Sequence, residues 1–119
     1  MAIFKYLVLL IIPLNTLASS ESYNNNIYCN KINGIQEYTL KNKVRVDCLT
    51  QDYAIEMDWC SKWYEGVTQA LYYAMLTERK AKLVLIKKSS SDYKYIDRAK
   101  KTIKFYNLPV DLEIINVIK

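Results

Sequence analysis

The chain has 119 residues, a formal net charge of +5 and no histidine. That length holds one domain, and the missing imidazole excludes a cysteine–histidine nucleophile and the ordinary Cys/His zinc sites. The basic balance allows an anionic partner, and three cysteines allow one disulfide with one thiol left over.

The N-terminal stretch MAIFKYLVLLIIPLNTLASS has Lys5, an apolar run from Tyr6 to Leu14, and small residues at Ala18, Ser19 and Ser20. This is the layout of a secretory signal peptide over residues 1–20, cleaved after Ala18 or Ser20. A membrane span needs about 20 apolar residues; this run is shorter, and Pro13 interrupts it. No stable span is expected after signal removal, and the mature chain is expected to be periplasmic or secreted. Residues 21–36 are polar and asparagine-rich, without an apolar period, and predict a flexible lead-in that carries Cys29. Residues 37–119 are expected to form the folded domain.

Glu37-Tyr38-Thr39-Leu40 predicts a strand, with a two-residue turn at Lys41-Asn42 that would put Glu37 opposite Val46. Two further strands meet at a turn of Gln51-Asp52. That turn sets Cys48 against Ile55, Asp47 against Glu56 and Arg45 against Asp58. Strand side chains alternate between faces. One face then carries Val44, Val46 and Cys48 opposite Ile55, Met57 and Trp59. The other carries Arg45 and Asp47 opposite Glu56 and Asp58. A slip of one residue would exchange these faces. Like charges directly opposed on a sheet repel, so Asp47 beside Glu56 is a cost that a shared divalent cation would relieve. A plainer reading keeps Arg45–Asp58 as a cross-strand ion pair and leaves Asp47 and Glu56 solvated.

Lys62 to Thr77 has apolar residues at Trp63, Val67, Ala70, Leu71 and Ala74, at helical spacing. Lys62, Glu65 and Gln69 share a second face of that helix. Lys62 follows the acidic strand closely enough to reach back to the carboxylates. Leu83-Val84-Leu85-Ile86 predicts a strand buried on both sides. Ser89–Ser91 with Asp92 predicts a helix start, Tyr95 or Ile96, Ala99, Ile103 and Tyr106 give that helix its apolar side, and Leu112 to Ile118 predicts a last strand. Arg79 to Lys104 holds ten basic residues against Asp92 and Asp97, which suits a phosphate-bearing partner or equally a solvated surface.

The stretch VRVDCLTQDYAIEMDWCSKWYEGVTQALYYA resembles the PD-(D/E)xK nuclease superfamily. It is similar to small exported bacterial proteins with the pattern R-V-D-C-L-T, A-I-E-x-D, K-W-x-E and Q-A-L-x-Y-A. The resemblance covers Glu37 to the C-terminus. It implies a restriction-endonuclease-like α/β sandwich with a mixed sheet, in the order β-β-β-α-β-α-β. It also implies a Mg2+- or Mn2+-dependent enzyme that hydrolyses phosphodiester bonds of nucleic acid. Asp47 and Glu56 match the metal-binding carboxylates of that superfamily. Two departures stand out: Val46 replaces the proline before the aspartate, and Asp58 occupies the place of the motif lysine. Lys62, from the following helix, is expected to take the lysine's role, and Gln69 matches a glutamine of that helix face. A glutamate from an earlier helix often completes such sites, and Glu37 is the candidate in the region read as folded. The alternative is an exported binding protein on the same fold that has lost catalysis. Cys29–Cys48 is the favoured disulfide, because it staples the lead-in to the strands; Cys29–Cys60 is its rival.

Overall fold

The computed structural model describes residues 20–119, and the expected signal peptide, apart from Ser20, lies outside them. The chain runs α1 (Glu21–Lys31), β1 (Ile35–Thr39), β2 (Arg45–Leu49), β3 (Tyr53–Trp59), α2 (Trp63–Thr77), β4 (Lys80–Lys87), α3 (Tyr93–Phe105) and β5 (Val110–Asn116). The five strands form one sheet in the order β1-β2-β3-β4-β5. β1, β2 and β3 are antiparallel neighbours, whereas β3, β4 and β5 run parallel. The protein is therefore an α/β fold on a mixed sheet. Among the described residues no helix is long and apolar enough to cross a membrane.

The expected lead-in is a helix. Ser20 caps it, its Oγ accepting the Tyr23 N–H at 3.1 Å, and Glu21 in the first turn suits the helix dipole. Asn24, Asn25, Tyr28 and Cys29 are buried at helical spacing. Asn25 Nδ2 donates to the Asp47 carbonyl at 3.0 Å, and Asn24 Oδ1 accepts the Ile118 N–H at 2.8 Å. The disulfide Cys29–Cys48 ties the helix to β2, and Cys60 is free and buried. Gly34 is required beside that bond. A Cβ there would collide with Cys48 Sγ and stand 2.7 Å from Cys29 Sγ.

Two apolar layers enclose the sheet. On one side Tyr28 and Cys29 pack with Cys48, Ile55, Met57, Val84 and Ile86. On the other, Val67 and Ala70 of α2 and Ile96 and Ala99 of α3 pack with Leu83 and Leu85. The run 83–86 is buried throughout, as its unbroken apolar sequence predicts. Tyr106, expected on the apolar side of α3, is 69% exposed because the helix ends at Phe105.

The expected register of β2 on β3 is present at Cys48 opposite Ile55 and Leu49 opposite Ala54. Val46 departs from it and packs with Leu49 and Ala54 rather than with Cys48 and Met57. The strands part beyond Cys48, because the Met57 N–H bonds to the Asp47 side chain instead of a β2 carbonyl. The β1–β2 loop also differs from expectation. Leu40 N–H donates to the Val44 carbonyl at 2.8 Å, so the loop has Lys41, Asn42 and Lys43, with Lys43 at φ 73°. Tyr38, not Glu37, therefore faces Val46.

Candidate functional site

The site lies where β2 and β3 separate. Asp47 Oδ2 accepts the Met57 N–H at 2.8 Å, and Glu56 Oε1 accepts the same N–H at 3.1 Å. The two carboxylates thus converge on one donor, as their opposed register positions predict. Glu56 is 4% exposed, and its Oε2 is buried without a hydrogen-bond partner among the described residues. Burial first, then the hydrogen bond and negative charge of Asp47, hold the Glu56 carboxyl far above the usual carboxylate range. An orphaned buried oxygen on a carboxyl next to a carboxylate is an arrangement that polar groups in a folded interior ordinarily avoid.

Asp58 follows two residues later and is also buried. Its carboxyl is pushed up to about 7, first by burial and then by the charges of Glu21 and Asp47. Gly66 makes this burial possible. A Cβ at Gly66 would stand 2.6 Å from Leu83 Cδ1 and 3.2 Å from Asp58 Oδ2. The absence of that carbon lets α2 lie directly over the acids. The expected open, charged face of β3 is therefore a covered one.

Lys62 ends the turn Cys60–Lys62 that leads into α2. Its positive charge lowers the carboxyls of Asp58 and Glu21, opposing the burial that raises both. It forms no ion pair within 4.0 Å among the described residues. Gln69 is exposed on α2, with no hydrogen bond to Lys62 or to the acids among the described residues. The Arg45–Asp58 pair expected from the strand register is not formed. Arg45 Nε lies 3.6 Å from Glu37 Oε2. Glu37 adopts φ 53° and is committed to that exposed pair rather than to the carboxylate site.

Two residues near the site were not singled out by the sequence. Glu21 feels Asp47, Lys62 and Glu65, and burial raises its carboxyl. The order Ser20-Glu21 is a helix-start signal that could have revealed it. Tyr73 lies one helical turn beyond Gln69, so the face of Lys62, Glu65 and Gln69 extends to it. Burial, then the charges of Glu56, Asp47 and Asp58, push its phenol up to about 12.

Among the described residues no three acidic or cysteine side chains form a ready cation cage. Magnesium, however, is often held by one or two carboxylates and completes its shell with water and substrate phosphate. Asp47 and Glu56 offer hard oxygen donors, one of them unpartnered, and fit such an ion. No family model, no curated protein and no solved structure matches this chain.

Proposed function

We propose that the protein is an exported, metal-dependent hydrolase of nucleic-acid phosphodiester bonds, built on a restriction-endonuclease-like fold. The observation that carries this reading is the meeting of Asp47 and Glu56 on the Met57 N–H, with Glu56 Oε2 left buried and unpartnered. The layout supports it: the acids stand on adjacent strands of a mixed sheet, followed by a turn ending in Lys62 and then a helix. Glu21 in α1, which feels the charge of Asp47, is a candidate for the earlier-helix glutamate that Glu37 does not provide. The Cys29–Cys48 disulfide suits an oxidising compartment outside the cytoplasm.

Asp47 and Glu56 would hold the Mg2+ or Mn2+, which supplies Lewis-acid polarisation of a phosphoryl oxygen. Lys62 is exposed, on the turn that leads into α2. There its ammonium can donate to an attacking water or to the negative charge that grows on the phosphate. Asp58, buried beside Gly66, would take a structural role, its charge acting on Lys62. Tyr73 packs against Val46, Leu49 and Ala54 close enough to feel the charges of Glu56 and Asp47.

The test is cleavage of single- and double-stranded DNA and RNA with magnesium or manganese. Wild-type protein should cleave at least one of them; Asp47→Ala should not, while keeping its fold by circular dichroism. Lys62→Ala should keep metal binding and lose cleavage. If the wild type cleaves none of the four and binds no metal, the enzyme reading fails. Asp58 in the lysine's place then marks a binding protein that has lost catalysis.

A further inference from the structure

The carboxyl ends of β3 and β4 gather cations around aromatic rings. Lys88 Nζ lies 4.2 Å from the centre of the Trp59 ring. Lys87 Nζ lies 4.4 Å from the centre of the Tyr93 ring and 3.0 Å from its hydroxyl oxygen. The topology creates this grouping. Trp59 pairs with Ile86 across the parallel strands, so Lys87 and Lys88 emerge beside it, and a short turn at Ser90–Asp92 returns the chain to Tyr93. The Tyr93 side is open to solvent, the residue being 58% exposed.

The rim carries more positive than negative charge. Of the nearby acids, Asp97 Oδ2 lies 2.9 Å from Lys101 Nζ, and Asp92 Oδ2 accepts the backbone N–H of Lys88 at 2.8 Å and keeps its charge. Trp59 follows Asp58 on β3 with its side chain on the opposite face of the sheet, packed with Ile55 and Met57.

We infer that this rim binds single-stranded nucleic acid, with Lys87 and Lys88 meeting phosphates and Tyr93 and Trp59 offering ring surface to unpaired bases. Lysines interleaved with aromatic rings suit a single strand, whose bases have free faces to stack. In a duplex those faces are closed against each other, and rings at a rim gain nothing. A membrane surface fits less well. Interfacial binding depends on apolar side chains that enter the acyl boundary, and between Trp59 and Tyr93 the rim offers lysines and serines. The inference does not rest on the proposed phosphodiester chemistry, since the grip itself needs no metal.

The experiment is fluorescence anisotropy of a labelled oligothymidylate about 12 nucleotides long, titrated with the protein in EDTA. Binding should be tighter than to a duplex of equal length and should weaken with salt. Lys87→Ala and Lys88→Ala should each reduce the slope of log K against log salt by about 0.7. Tyr93→Ala should weaken binding about ten-fold, within the range for one stacked base, and Tyr93→Phe should not. Tighter binding to the duplex or to phosphatidylserine vesicles overturns the inference, as does indifference to Tyr93→Ala. The chelator separates the two proposals. Protein that grips the strand but never cleaves with added magnesium loses the hydrolase reading and keeps this one. Protein that cleaves, but whose grip ignores Tyr93 and Lys88, does the reverse.

Discussion

Gly34 and the disulfide should be energetically coupled, and the coupling can be worked out before it is measured. The bond joins residues separated by 19 in sequence. Loop-closure entropy for such a loop gives about 3 kcal/mol of stabilisation. Replacing both cysteines with alanine should therefore cost about that much. Gly34→Ala in the disulfide-bonded protein forces a methyl against both sulfurs, an overpacking that costs roughly 1–3 kcal/mol. In the Cys29→Ala/Cys48→Ala background the sulfurs are gone, and the methyl enters vacated space. Gly34→Ala should then cost less than about 0.5 kcal/mol, the size of ordinary non-additivity. Urea unfolding of the four proteins, followed by far-UV ellipticity, gives the cycle. Equal cost of Gly34→Ala in both backgrounds would refute the reasoning, because it would mean that the sulfurs are not what the missing Cβ avoids.

The carboxyls make stability depend on pH in a definite direction. Glu56 and Asp58 hold protons in the folded chain above their ordinary values of 4.5 and 3.8. The folded state then binds more protons than the unfolded one, so stability falls as pH rises from about 4 through neutrality. With EDTA present, the urea midpoint should drop over that range, and Asp47→Asn should flatten the fall by removing the charge beside Glu56; a midpoint that rises with pH would contradict this. Of the two cleavage points read from the sequence, the cap on α1 favours the one after Ala18. Ser20 supplies the first-turn acceptor, worth about 1 kcal/mol, and cleavage after Ser20 would discard it and set a positive α-amino group at the helix start. N-terminal sequencing of exported protein should begin at Ser19, and a chain that begins at Glu21 would show that the cap is dispensable.

The parts of the fold that bury apolar side chains were legible in the sequence. Alternation located β2 and β3 and the pairing of Cys48 with Ile55, and the unbroken run at 83–86 located β4. Helix α1 was not legible by apolar periodicity. It docks through Asn24, Asn25, Tyr28 and a disulfide, so its buried face is half polar. The same blindness hid Glu21, which rides on that helix. Glu37 was misplaced by one residue because Lys43, not a glycine or asparagine, takes the left-handed position of the β1–β2 loop. Burial of Asp58 was not legible either. It depends on Gly66, eight positions further on, letting α2 close over β3. Asp47 and Glu56 were found because strand register places opposed residues without reference to tertiary packing.

Isothermal titration of wild type and Asp47→Asn with manganese and magnesium asks whether the two carboxylates hold a cation. A cation that takes Glu56 as a ligand must displace its proton. One site is expected in the wild type, with proton release detectable as a dependence of the heat on buffer ionisation, and loss of the site in Asp47→Asn. Absence of binding in the wild type, or binding unchanged by Asp47→Asn, would contradict a cation shared by Asp47 and Glu56.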